Sequence, residues 1–151
     1  MANSGTHGRI AANNEQTMQR LLNPNITGGL ASTTDHPWIA VMAYYTVYHL
    51  VAEVSAIVAP SHPALSHDEQ VEFLQQTPKL KGMACLYNNL NTLRKYALYR
   101  PPVNVSFETE RKILHYADAP HFQKIVLDDW FGTLKNTLAA YRKSLLSVKR
   151  P

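Results

Sequence analysis

Ile39 to Val58 is a run of 20 residues dominated by Ala, Val, Leu and Tyr, and it decides most of what this chain can fold into. A segment of that length and character either crosses a bilayer or forms the centre of a protein core. Thr46, His49, Glu53 and Ser55 interrupt it, and no basic cluster flanks it. A mid-span Glu is costly in lipid. The run therefore reads as the nearly all-round buried central helix of a soluble bundle, with no membrane partner. Asp35 is placed to cap it and Pro37 falls in its first turn, where a missing N–H costs nothing. The predicted span is His36 to Val58, stopping before Ala59-Pro60.

The remaining punctuation supports further helices and no strands. Residues 1–14 are rich in Gly, Asn and Ser and read as frayed, with room for a short helix over Glu15–Leu22 before Asn23-Pro24. Ser66-His67-Asp68-Glu69 has the spacing of a capping box and opens a helix that ends before Thr77-Pro78. A longer helix is predicted from about Lys79 to Tyr99. Its inward stripe is Met83, Leu86, Tyr87, Leu90, Leu93 and Ala97, while Asn88, Asn89, Asn91 and Lys95 face away. Arg100-Pro101-Pro102 breaks it. A short helix is predicted over Glu108–Ala117, then a long one from Asp118-Ala119-Pro120 with the stripe Phe122, Val126, Trp130, Leu134, Leu138, Tyr141 and Leu145. Gly132 inside that last helix marks close helix packing. The fold class is all-α, an up-and-down bundle of four to five helices over residues 34–151, preceded by a flexible N-terminal segment over residues 1–33. At 151 residues this is a single domain.

Composition narrows the chemistry. One cysteine, Cys85, excludes an internal disulfide framework and any multi-cysteine metal site, and with no evident thiolate partner it reads as packed. The opening residues have no apolar core, so the expected location is cytoplasmic. Residues 1–78 carry two basic and six acidic groups, and residues 79–151 carry thirteen and five, a change from −4 to +8. A basic second half either attracts phosphate or an acidic protein, or is a solvated helix face.

Three polar groupings stand out. Tyr45, His49 and Glu53 recur every fourth residue on one face of the central helix, as a buried polar network fixing register or an acid–base centre. His62 and His67 with His49 and Glu53 lack the spacing of a zinc motif, so no metal and no cofactor is expected. Tyr44, Tyr45, Tyr48, Tyr87, Tyr96 and Tyr99, with Trp38 and Trp130, read first as core and second as a base-stacking surface.

HPWIAVMAYYTVYHLVAEV, then SHPALSHDEQVEFL, then YNNLNTLRKYALYR resembles the HEPN superfamily across roughly residues 34–100. The resemblance implies a helical bundle, commonly a homodimer or a subunit of a larger assembly. It also implies a metal-independent ribonuclease activity, in prokaryotic antiviral defence or toxin–antitoxin systems. That activity rests on an Arg followed after four to six residues by a His. Here the matching positions are Arg94 and Tyr99, so Tyr stands where His is expected. Tyr exchanges protons poorly near neutral pH. Arg111 and His115 carry the pair on another segment, one residue too close. The catalytic candidates are Arg94, Tyr99 and His49, and the RNA or phosphate contacts are Arg94, Lys95 and Arg100. The leading expectation is a non-catalytic or weakly catalytic protein that binds RNA, a nucleotide or a partner protein. The alternatives are a ribonuclease using Arg94 in a dimeric cleft, and a protein–protein adaptor with a basic face.

Overall fold

A computed structural model describes residues 4–22, 36–99 and 121–148, and every regular element among them is helical. α1 (Ser4–Leu22), α2 (His36–Val58), α3 (His67–Gln76) and α4 (Met83–Tyr99) are followed by a π-helical stretch, Gln123–Phe131, that runs directly into α5 (Gly132–Val148). The protein is an all-α bundle. Asp35, Arg100, the helix predicted over Glu108–Ala117 and the lead over residues 23–33 lie outside the described residues.

α2 spans the predicted residues and is the core. Ile39, Ala40, Ala43, Val47 and Val51 are wholly buried, against Leu74, Leu90, Leu93, Val126 and Leu134 from the other helices. Its 21-residue part from Trp38 to Val58 is long and apolar enough to cross a membrane, yet much of it is packed inside the bundle. Trp38, expected in the core, is 53% exposed.

α3 opens as its sequence predicts. The Ser66 hydroxyl accepts from the Glu69 N–H, and the Glu69 carboxylate accepts from the Ser66 N–H at 2.7 Å. A 3₁₀ turn, Pro78–Leu80, uses the next proline and delays α4 to Met83, four residues after the predicted start. In α4 the stripe Tyr87, Leu90 and Leu93 is buried, but Asn91 is buried with it, contrary to its outward assignment. Cys85 is exposed rather than packed.

α1 corrects the reading of the N-terminus. Residues 4–14, expected to fray, are helical, because α1 docks on α2, where His7, Ala11 and Met18 are buried. Lys135 of α5 pairs with Glu15 of α1. The close helix approach belongs to Gly8, where an added Cβ would stand 2.8 Å from the Glu53 carboxylate. Gly132 instead ends the π-helical stretch, its N–H reaching the Leu127 carbonyl five residues back, which is also what a Cβ there would meet. No neighbouring helix crowds it.

Glu53 is 4% exposed, and its Oε1 accepts from Nε of Arg142 at 2.7 Å. A buried carboxylate is tolerated only when it is paired and hydrogen-bonded. Arg142→Ala is expected to lower unfolding stability by about 2 kcal/mol or more in urea titration, since it strands that charge. Gly8→Ala, which gains about 1 kcal/mol in an open helix, is expected to lose stability here, because the pinned carboxylate cannot step aside. The same titration checks both.

Candidate functional site

The capping box fixes more than a helix end. By starting α3 at His67 it holds that imidazole between α2 and α4. The ring stacks on Tyr87 at 4.9 Å between centroids and 13° between planes. Nδ1 lies 2.9 Å from the Tyr44 hydroxyl, and Nε2 lies 3.0 Å from Nδ2 of Asn91. The Asn88 amide oxygen stands 3.3 Å from the same Nε2. One turn further along α4, Arg94 donates through Nε to Oδ1 of Asn91 at 2.9 Å and through Nη1 to the Tyr45 hydroxyl at 3.3 Å. Its guanidinium carbon lies 4.8 Å from the Tyr44 ring centre and 5.8 Å from that of Tyr45, within reach of a cation–π attraction.

These bonds have a direction. The guanidinium can only donate, so Asn91 turns its oxygen to Arg94 and its NH₂ to the imidazole. Nε2 then accepts, and Nδ1 carries the proton and donates to Tyr44. Behind it, Tyr87 donates to Gln70 at 2.6 Å and Gln70 donates to the Tyr48 carbonyl at 3.2 Å. Tyr44 bridges the two halves, its hydroxyl 3.5 Å from that of Tyr87. Burial holds the His67 pKa below the ordinary imidazole value, helped by the charges of Lys95 and Arg94 and opposed by Asn88 and Asp68. Burial likewise raises the Tyr44 and Tyr87 hydroxyls, so both remain protonated donors at neutral pH. Should the imidazole gain a proton, Asn88 supplies the acceptor that Asn91 does not. The ring can therefore change charge without losing its place.

Arg94 is half-buried and Lys95, beside it, is exposed. The ion pairs among the described residues are Lys135 with Glu15 and Arg142 with Glu53, and no described carboxylate pairs with Arg94. Compared with protein-family models, curated proteins and solved structures, the chain matches none. The site is therefore read from its own geometry.

The structure brings Arg94 and Tyr45 of the predicted residues into this site. Lys95 adjoins it, while Arg100 and the side chain of Tyr99 lie outside the described residues. Tyr45, His49 and Glu53 do share a helix face, but each takes a different partner. Tyr45 meets Arg94, Glu53 meets Arg142, and His49 meets His7 with 3.0 Å between the two Nδ1 atoms. They form three links from α2 to three other helices rather than one network. Nor do His49, Glu53, His62 and His67 converge, and no metal-ligating cluster occurs among the described residues. Sequence reasoning missed Asn91, Gln70 and the central place of His67. The available signal was the capping box itself, which fixes where a side chain at the first helical position sits.

His49, like His67, is held below the usual imidazole pKa, by burial first and by His7 second. Each group binds its proton more weakly in the folded chain than in the unfolded one. The unfolded chain thus takes up more protons below pH 6.5, the ordinary imidazole value, and folding stability must fall as the pH drops through that range. The thermal midpoint is expected to hold steady from pH 8 to 7 and decline below about 6.5, with a shallower decline in His49→Gln and His67→Gln.

Proposed function

We propose that this protein is a HEPN-like helical bundle that binds RNA or a nucleotide through phosphate contact at Arg94. The observation that carries the reading is a fixed, half-buried guanidinium unpaired by any described carboxylate. A guanidinium has five N–H donors, of which Asn91 and Tyr45 each take one. Donors held in place in this way suit the oxygens of a phosphate. Lys95 adds charge from the exposed side, and the basic second half of the chain adds long-range attraction. Binding rather than cleavage is favoured because both ring nitrogens of His67 are engaged by Tyr44 and Asn91. The sequence resemblance supports a role in a prokaryotic defence or toxin–antitoxin assembly, and the opening residues support a cytoplasmic location.

A second reading, metal-independent ribonuclease activity, rests on one specific arrangement. His67 supplies near Arg94 the imidazole that the α4 sequence lacks, and Asn91 and Asn88 offer its Nε2 a donor and an acceptor. An imidazole below its usual pKa is neutral at pH 7 and able to accept a proton from a 2′-hydroxyl.

One experiment tests both. Fluorescence anisotropy with labelled single-stranded RNA in EDTA is expected to show affinity that falls with salt, about ten-fold weaker in Arg94→Ala, with the log–log salt slope smaller by about 0.7 per lost phosphate contact. Equal affinity in wild type and variant overturns the assignment to Arg94. Electrophoresis of the same samples should show intact RNA. RNA cut by wild type and spared by both Arg94→Ala and His67→Gln would replace the binding reading with the second.

A further inference from the structure

At the far end of α2, the 59–65 loop, α3 and the last turns of α5 enclose a groove of about 890 Å³, the size of a small-molecule site. Its walls are largely apolar, with Ala56, Ile57, Val58, Leu65, Phe73 and Leu146 among them. Val58 and Leu146 are 49% and 37% exposed, so apolar surface here meets solvent. Glu69 and Glu72 stand one turn apart on α3 in the same lining, exposed His62 is the remaining titratable residue, and no Lys or Arg is among the described lining residues. Glu69 accepts from the Ser66 N–H at 2.7 Å and Glu72 from Nε2 of Gln76 at 2.8 Å, and neither belongs to an ion pair among the described residues. Hydrogen bonding from Ser66 holds the Glu69 pKa below the ordinary carboxyl value, so it is charged at neutral pH. The groove also lies at the carbonyl end of α2, which carries partial negative charge, and Pro60 has no N–H to offer the Ala56 carbonyl.

A concave apolar surface edged by negative charge, on a chain of net charge +4, selects by charge as well as by shape. We propose that the groove binds a small organic ammonium compound, its apolar body against Val58, Phe73 and Leu146 and its charged end at Glu69 and Glu72. Apolar burial supplies the affinity, and the two carboxylates supply the choice of ligand. A phosphate, a fatty acid or any other anion would meet two like charges and the negative end of α2. Arg94 does not line this groove, so cation binding here neither requires nor prevents phosphate binding there.

Two fluorescent probes that share one apolar ring and differ at the end of the chain test it on the full-length protein. Dansylcadaverine ends in an ammonium, and dansyl-ε-aminocaproate ends in a carboxylate. Fluorescence titration is expected to show saturable binding of the ammonium probe, tighter than the carboxylate probe by about ten-fold or more at low salt. That preference should shrink as salt is added. Glu69→Gln with Glu72→Gln keeps an acceptor oxygen for Ser66 and for Gln76 while removing both charges, and should bring the two probes to within about two-fold of each other. Leu146→Arg puts a cation into the groove from a partly exposed position and should weaken the ammonium probe by about ten-fold but not the carboxylate probe. Circular dichroism checks that each variant is folded, and the comparison of probes on the unaltered protein does not depend on any variant. Absence of saturable dansylcadaverine binding overturns the proposal, as does binding that neither change moves. So does equal affinity for the two probes, which an apolar surface awaiting a protein partner would give.

Discussion

A helix enclosed on nearly every side must have each of its polar groups met by another part of the chain, and in this protein that demand falls on α2. Its apolar residues drive the bundle together without specifying how. Its polar residues specify the arrangement. Tyr44 and Tyr45 require α3 and α4 at one register, His49 requires α1, and Glu53 requires Arg142 of α5. An unpaired group at any of these positions costs more than its bond contributes, so wrong registers are penalised more than the right one is rewarded. Among the described residues, no buried side-chain nitrogen or oxygen lacks a partner.

What could be read in the sequence follows from which signals are local. The α2 span, the capping box and the stop before Thr77-Pro78 depend on neighbours within a few residues, and they were legible as residue patterns. The stripes of α4 and of the last helix depend on periodicity and were legible too, apart from Asn91. Of the N-terminal helix only the part over Glu15–Leu22 was. Its Gly, Asn and Ser content predicts fraying because intrinsic propensity is all a local reading sees, whereas Met18 and His7 are held by residues far along the chain. The π-helical winding was equally hidden. Phe122, Val126 and Trp130 fit an α-helical stripe, but Leu127 and Phe131 are buried with them, and α-helical spacing does not put those two on that face.

The candidate site was half legible for a related reason. Arg94 stood out because the resemblance names an Arg at that place, and Tyr45 because it belongs to a periodic polar set. Asn91 looked like one more polar residue on the outer face of α4. Its role appears only when Arg94 and His67 approach it from opposite sides, 2.9 and 3.0 Å away. An amide is the side chain suited to that position, because it presents an acceptor to one neighbour and a donor to the other. Periodicity describes which way a residue faces on average. It says nothing of two partners arriving from different elements.

The ion pairs that secure α1 and α2 to α5 join residues far apart in sequence. Glu15 and Lys135 are separated by 120 positions, and Glu53 and Arg142 by 89. During synthesis, α1 leaves the ribosome well before α5, and Glu15 waits 120 positions for Lys135 to exist. Until then the Glu53 carboxylate has no counter-charge from Arg142 and favours solvent, which opposes early closure of the core around α2. The order of assembly is therefore partly written into these contacts: α1 can rest on α2 early, but both ion pairs close only once α5 has been made.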